Sequence, residues 1–553
     1  MRDAVRLTDA ETFGGWVIKI ARLSWVNFRS LLDGHATVRD HLVLVGPNAS
    51  GKSSVLAVAA LTLGSGADLP SIRVQDFRDP TLTLELEATL VGLDDDDRGA
   101  FPDEVVVAEG AASLRISVRA EVDPTDPETT LTVTRSFPDS GHGRRPSSAQ
   151  LKRLGFSKIS ASRSMGRELV GAQGVARSLV RGLDITADAA ALEAGLAQVR
   201  TVLETSTTIG DFRDILAARL TESLPATVGK DDVKLTLSSD LADSPLAATT
   251  MTLRDAGGDR PLTEHSDGVQ ALTVLALMGM GSATSARIVA IDEPETHLHP
   301  TAQRALIERL LAGTSQQLLA THSSAVAAAA KPEHLATIDR TGMIRQLPDD
   351  APISGALQLL RDYRQSLVEP LTARVVCVVE GDADRMLLEA VARSVNIPLS
   401  RLDVAIFQLD GCGGFASVWN FFGPAGLGMT FTAVCDEDAR EDWAGTLGVD
   451  PGALKTRDVL VLTPDLEGVY VAELGHARVL ELIQAAGLIS ERWFCAQVGK
   501  SKWAEVNTHE DVLKVCGAKK LKTAAAASIA AGMTEADGRK LTTIATYLSG
   551  LVP

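Results

Sequence analysis

The sequence predicts an α/β chain in two parts: an N-terminal phosphate-loop domain interrupted by a helical element, and a C-terminal domain built on a second parallel sheet. Three observations predict it. Gly46-Pro-Asn-Ala-Ser-Gly51-Lys52-Ser53 stands between an apolar strand pattern and a helical one, the context a phosphate loop requires. The apolar run Arg287–Ile291 ends in Asp292-Glu293, 240 residues beyond Lys52, so a long insertion separates two halves of one fold. From Arg374 onward, strand and helix patterns alternate, as in parallel α/β domains.

Each element follows in order. Val17–Leu31 alternates apolar and polar residues, and His41–Val45 is a fully apolar strand. Period-2 runs at Thr81–Leu90, Ser113–Val122 and Thr130–Arg135 predict an antiparallel meander, with Asp94–Asp97 as a solvated hairpin turn. Phe137–Gln150 reads as a linker, and Leu151–Leu224 has helical spacing. Strand patterns return at Asp232–Ser238, Thr249–Leu253, Arg287–Ile291 and Gln317–Thr321, then at RVVCVV, DVAIFQL, TFTAVC and DVLVL beyond Arg374. The expected boundaries are 1–150 and 229–350 for the two halves of the first domain and 151–228 for the inserted helical element. A connector at 351–372 and the second domain at 373–553 complete the chain.

Composition bounds the function. At about 150 residues per domain, 553 residues suggest three or four domains, and 45% apolar residues supply ample core. A net charge of −17 excludes a uniformly basic nucleic-acid-coating protein but not a local basic groove. Five scattered cysteines with no Cys-x-x-Cys pair fit a reducing compartment. The first residues lack the apolar region of a signal peptide, and the most apolar helical run, Ala271–Met280, is short of the roughly 20 residues a bilayer needs. A soluble, cytoplasmic chain with no membrane partner is expected.

The phosphate loop carries the first chemistry. Its glycines let backbone N–H groups curl round phosphates, Asn48, Gly51 and Ser54 belong to the same cradle, Lys52 brings a point charge, and the Ser53 hydroxyl can ligate Mg²⁺. Asp292 is placed to hold that Mg²⁺, and Glu293 to polarise the attacking water. His322 ends another strand and could reach a γ-phosphate. Ser266-Asp-Gly268-Val-Gln precedes the apolar helix at Ala271. This order (phosphate loop, long insertion, Ser-x-Gly-x-Gln, Asp-Glu, His) resembles the ABC-type ATPases. That resemblance implies ATP as ligand, Ser266 and Gly268 acting on the nucleotide of a second subunit in a homodimer or higher oligomer, and Gln75 as a Mg²⁺-sensing glutamine. The opening KIARLSWVNFRSLLD also looks like the start of chromosome-repair ATPases of this class.

A second constellation is acidic. Glu380-Gly-Asp-Ala-Asp384 follows one predicted strand, and Asp436-Glu-Asp438 ends another about 50 residues on. Parallel strand ends converge on one edge, where Glu380, Asp436 and Asp438 would repel one another unless a cation sat among them; oxygen-only ligands favour Mg²⁺ or Mn²⁺. The pattern resembles the TOPRIM domain of topoisomerases, primases and nucleases. By that resemblance these three residues bind a divalent metal, Asp384 and Glu467 could hold a second ion, and a lysine before the last helix acts near the scissile phosphate. Lys522 is chosen for that role over Lys519 and Lys520, which spacing cannot separate from it. None of the three tyrosines lies in a cleavage context, so hydrolysis is favoured over strand passage.

An ABC-type ATPase followed by TOPRIM resembles the OLD (overcoming lysogenization defect) family of nucleases, which includes the nuclease subunit of the Gabija antiphage system. The resemblance runs from Gly46 to His322 and from Glu380 to about Lys522, and is weakest across Leu151–Leu224, where the family carries variable dimerisation elements. Asp384 departs from the glutamate of many members. The resemblance implies an ATP-regulated, metal-dependent endonuclease on double-stranded DNA, in antiphage defence or DNA processing, with a helicase-like or other defence partner. The alternative is a non-nucleolytic ATP sensor or scaffold that controls a partner effector. Two basic stretches could meet DNA: Arg144–Arg181, nine basic residues against Glu168, and Arg492–Lys522, seven against three acidic ones. The second is preferred because it shares a domain with the acidic cluster.

Overall fold

The computed structural model describes residues 18–65, 71–108, 111–123, 131–140, 143–160, 194–195, 198, 201, 205–207, 252–255, 258–261, 287–296, 298, 300–349, 367–409, 411 and 414–551. Ser266, Gly268, the strand expected at Asp232–Ser238 and most of the helical element lie outside them.

Two sheets share the N-terminal part. The antiparallel one has the order β2 (Gly34–Thr37), β1 (Lys19–Val26), β4 (Leu84–Val91), β6 (Ala111–Val122) and β5 (Val105–Ala108), with β7 (Leu131–Ser136) also on β6. The other has the order β14 (Ile344–Gln346), β13 (Leu335–Ile338), β3 (Leu42–Val45), β12 (Gln316–Thr321), β11 (Ile288–Asp292) and β8 (Phe156–Ser160), parallel from β13 to β8. A hairpin of β9 (Thr252–Asp255) and β10 (Gly258–Pro261) stands apart from both sheets. The C-terminal sheet is parallel, with the order β16 (Val404–Gln408), β15 (Val375–Val379), β17 (Thr430–Asp436) and β18 (Val459–Leu462).

The central strands of the two parallel sheets are apolar on both faces because those sheets are covered on both sides, whereas β4 and β6 of the antiparallel sheet alternate buried and more exposed positions. On β3, Leu42 and Leu44 face one core with the helix Lys52–Leu63 and the antiparallel sheet, while Val43 and Val45 face another. Val289 and Ile291 share that second core with Leu367, Leu371, Val376, Val378, Phe407, Phe415 and Trp443, so it is continuous from the phosphate-loop sheet to the C-terminal sheet. Val375, Cys377 and Val379 turn the other way, onto the C-terminal helices. Burying each such side chain contributes about 1.5–3 kcal/mol. An ion pair between Arg340 and Asp403 (2.9 Å) also joins the two parts.

Two readings are corrected. Residues 156–160, expected to belong to the helical element, form β8, which pairs in parallel with β11. Asp94–Asp97 is not a solvated hairpin turn. Asp94 caps a short helix, Asp95–Ala100, by accepting from Asp97 N–H. Asp97 is fully buried, bonded to Arg153 (3.1 Å) and to Arg287 (2.6 Å) at the foot of β11.

Candidate ATP and metal centres

Strand register builds the first site. Asp292 lies opposite Ala320 and Thr321 opposite Val45, so β3, β11 and β12 present the phosphate loop, the acidic pair and His322 at one sheet edge. The loop needs its glycines. A Cβ on Gly46 would stand 2.4 Å from the Ile338 carbonyl oxygen, and Gly51 caps the helix Lys52–Leu63 at φ +111°. Lys52 is buried and donates to the carbonyls of Gly46 and Pro47, both at 2.8 Å. Burial lowers its pKa, opposed by Glu293, Asp292 and Glu295. Ser53 and Asn48 are exposed, while Ser54 is buried. Glu293 adopts φ +54°, a left-handed conformation that costs a non-glycine residue about 1–3 kcal/mol and concentrates at functional sites. Gln75 is exposed on a turn, and no hydrogen bond ties it to the loop among the described residues.

Sequence reasoning passed over Glu295. Its buried carboxylate stands among the other groups of the site: Oε1 accepts from Thr321 Oγ1 (2.7 Å) and from His322 N–H (2.9 Å), and lies 3.3 Å from His322 Nδ1. The acidic run Asp292-Glu-Pro-Glu295 was the available signal.

The second site forms at the C-terminal edge of the C-terminal sheet. Glu380 follows β15, Asp436 ends β17, and Asp438 sits on the turn Glu437–Ala439; one oxygen from each lies within 4.8 Å of the others. Glu380 Oε1 accepts from Asp436 N–H at 2.7 Å, and Asp436 Oδ1 accepts from Leu466 N–H at 3.0 Å, which fixes both carboxylates. Asp384 and Glu467 occupy the first turns of the helices Asp382–Ser394 and Leu466–Leu474, where the helix dipole favours negative charge. Both are buried. Asp384 accepts from Gly381 N–H at 3.1 Å.

Lys522 enters this acidic group from the start of the helix Lys522–Gly532. Its Nζ lies 3.1 Å from Glu467 Oε2 and 3.3 Å from Asp436 Oδ2, whereas Lys519 and Lys520 are exposed. Burial, and then the neighbouring Asp436, push Asp384 up to about 7. Burial likewise pushes Glu467 up to about 7, against the pull of Lys522. Glu380 is raised by burial and by Asp436 and Asp438. Burial opposes the charge of Lys522, but Glu467 and Asp436 more than offset it and raise its pKa. The donor set fits a hard divalent cation: all donors are oxygen, they repel one another, and Glu467 Oε1 is buried with no hydrogen-bond partner among the described residues. Tyr470 is a fully buried core residue, Tyr547 is partly buried against the same core, and Tyr363 lies outside the described residues.

Both basic stretches pair charges with internal carboxylates. In the second, Lys500 pairs with Asp511, and Lys522 with Glu467 and Asp436. In the first, of which 161–181 lies outside the described residues, Arg144 pairs with Asp103 and Glu104, both at 3.1 Å, and Arg153 with Asp97.

Comparison with known proteins gives two domain matches. An AAA domain model, whose description also names the AbiEii toxin of a Type IV TA system, matches residues 183–328. The TOPRIM domain model of proteins like the overcoming lysogenization defect protein matches residues 371–438. The chain therefore carries an AAA-type ATPase domain followed by an OLD-like TOPRIM domain. Among solved structures it is similar to the C-terminal region of the Burkholderia pseudomallei OLD protein, at 21% identity over 33% of this chain and 99% of that one, TM-score 0.26. It is similar to the C-terminal region of the Xanthomonas campestris pv. campestris OLD protein at 22% identity over 33% and 96%, TM-score 0.26. A third is the SMC head domain from Thermotoga maritima, at 16% identity over 58% and 94%, TM-score 0.27. No curated protein matches the chain. No helix among the described residues is long and apolar enough to cross a membrane.

Proposed function

We propose that the chain is an ATP-regulated, divalent-metal-dependent DNA endonuclease, acting in the cytoplasm in antiphage defence or DNA processing. The convergence of Glu380, Asp436 and Asp438 within 4.8 Å, inside an OLD-like TOPRIM domain, carries the reading. Mg²⁺ or Mn²⁺ held there would supply a Lewis acid and an activated water for phosphodiester hydrolysis. Asp384 and Glu467 are the residues for a second ion. Glu380 and Asp436 are held rigidly by backbone donors, and Lys522 brings a positive charge beside the place a phosphate would take.

In the ATPase domain, Lys52, Ser53, Ser54, Gly51 and Asn48 receive the phosphates, Asp292 and Gln75 the Mg²⁺, and Glu293 takes a proton from the attacking water. His322 senses the γ-phosphate. Ser266 and Gly268 complete the site of a second copy, which makes the working unit a homodimer or larger, and a helicase-like partner fits the defence role.

Incubating supercoiled plasmid with the protein and Mn²⁺ tests the reading, with Glu380→Ala and EDTA as controls. Nicking or linearisation by the wild type alone supports it. Equal cutting by Glu380→Ala would remove the acidic cluster as its centre.

A further inference from the structure

We infer that Glu295 is a positioning residue for ATP hydrolysis: its buried carboxylate holds the His322 imidazole in the orientation that faces the nucleotide. The inference rests on the ATPase reading above and deepens it.

Three observations carry it. The Glu295 side chain is 4% exposed, and Oε1 collects the Thr321 hydroxyl at 2.7 Å and the His322 backbone N–H at 2.9 Å, with His322 Nδ1 at 3.3 Å. Burying a carboxylate costs several kcal/mol unless hydrogen bonds satisfy it, so a glutamate in this place is bound to the end of β12. Second, the loop that bears Glu295 is fastened to the His322 segment by a separate net. Gln303 Nε2 donates to the carbonyls of Glu295 (3.2 Å) and Leu298 (2.8 Å), and Gln303 Oε1 accepts from Ser323 Oγ (2.7 Å). Thr321 Oγ1 in turn accepts from Ser323 N–H at 2.9 Å. The acidic loop after β11 and the histidine after β12 therefore move as one body.

Third, the demand on Glu295 is incompletely met. Glu295 Oε2 is buried, and no donor reaches it among the described residues. The His322 imidazole beside this carboxylate, with Nδ1 3.3 Å from Oε1, is half exposed at the sheet edge. Glu293 stands 3.9 Å from the same Nδ1 at its Oε1, so two carboxylates lie beside one ring nitrogen. A ring held at Nδ1 presents Nε2 outward. Glu293 is thereby left to its water, since the buried carboxylate, not the half-exposed one, is the closer anchor of the ring.

A double-mutant cycle on the full chain, read by ATP turnover and nucleotide affinity, tests this. Removing the partner that orients a metal-bound histidine costs about 10–100-fold, and an effect of that order is expected here. Glu295→Gln keeps the shape and should lower kcat about 10–100-fold while ATP affinity stays within about twofold of wild type. In a His322→Ala background the same change should cost little more, because there is no ring left to hold. Thr321→Val, which removes one anchor of Glu295, should give a smaller loss in kcat that also vanishes in the His322→Ala background. An equal loss from Glu295→Gln with and without His322 would overturn the assignment and make Glu295 a structural residue. So would a loss confined to nucleotide affinity. If His322→Ala itself turned over ATP normally, the γ-phosphate role of His322 would fail first and the assignment with it. Normal turnover in Glu295→Gln beside a slow His322→Ala would sink the assignment alone. Should Glu295→Gln not fold, the Thr321→Val cycle decides by the same criterion.

Discussion

The two sites invite comparison because both set a lysine among carboxylates at the edge of a parallel sheet, yet they use it oppositely. In the ATPase domain, Lys52 is bonded to two backbone carbonyls of its own loop, and the nearby carboxylates only oppose the effect of burial. In the TOPRIM domain, Lys522 is paired directly with Glu467 and Asp436, and the surrounding acids are buried and pushed toward neutrality. Neutral backbone oxygens hold a lysine without cancelling its charge, which leaves it available to an incoming anion. A buried group of acids with one lysine keeps an excess of negative charge, which calls for a cation. The first site is built around phosphate, the second around metal.

Removing one site should leave the other at work. Asp436→Ala should lower DNA cleavage by at least about 10³-fold, since a bound ion supplies several kcal/mol of charge stabilisation, while ATP turnover stays near wild type. Loss of both activities together would mean that the acids hold up the fold rather than the chemistry. Next in size, Glu293→Gln should slow ATP hydrolysis by about 10²-fold or more with ATP binding kept, because the amide retains the shape but cannot take a proton. Lys52→Ala should instead abolish binding in isothermal titration; near-normal affinity would end the phosphate-loop assignment.

A smaller effect separates the lysines. Lys519 and Lys520 are exposed while Lys522 is in the site, so neutralising the first two should weaken DNA binding severalfold and flatten its salt slope by about two charges' worth. Cleavage at saturating DNA should survive. Neutralising Arg144, Arg145, Lys152 and Arg153 should do less to DNA binding, as Arg144 and Arg153 already serve internal carboxylates. An unchanged slope in the Lys519/Lys520 variant would move the DNA path elsewhere.

The smallest effect is thermal. Asp384 and Glu467 each sit near 7 in the folded protein, above their ordinary carboxylate values, chiefly through burial. Folding therefore favours their protonated forms; that stability is present in acid and is lost as pH rises through about 7. A divalent cation competes with those protons, so Mn²⁺ should raise the melting temperature more at pH 8 than at pH 6. An equal or larger gain at pH 6 would show that the ion does not meet these carboxylates.

Much of this was legible in the sequence where the signal is local. The phosphate loop, the acidic strand ends and the central strands of both parallel sheets each rest on a short pattern. What escaped depends on partners far along the chain. β8 has the five-residue sequence FSKIS, too short to show a period, and only its pairing with β11 makes it a strand. Asp97 belongs to a run of four aspartates that reads as solvated, and its burial is set by Arg153 and Arg287, 56 and 190 residues away. Lys519, Lys520 and Lys522 are equivalent as a charge run; the first two lie on the turn before the helix Lys522–Gly532, and only the start of that helix brings a lysine to the acids. Glu295 was hidden by its neighbour, because the familiar acidic pair ends two residues earlier.

The short helix Val368–Thr372 lies beside β3, β13 and β16, and its Leu371, with Leu367 just before it, belongs to the apolar layer between the two parallel sheets. A layer shared in this way leaves neither sheet a complete interior of its own. Separating the two parts would expose Val43, Val45 and Ile291 together with Phe407 and Phe415, so neither half should persist as an independent foldon. Heating should then give a single calorimetric transition for both parts, and a protease that cuts between 351 and 366 should yield fragments that stay associated.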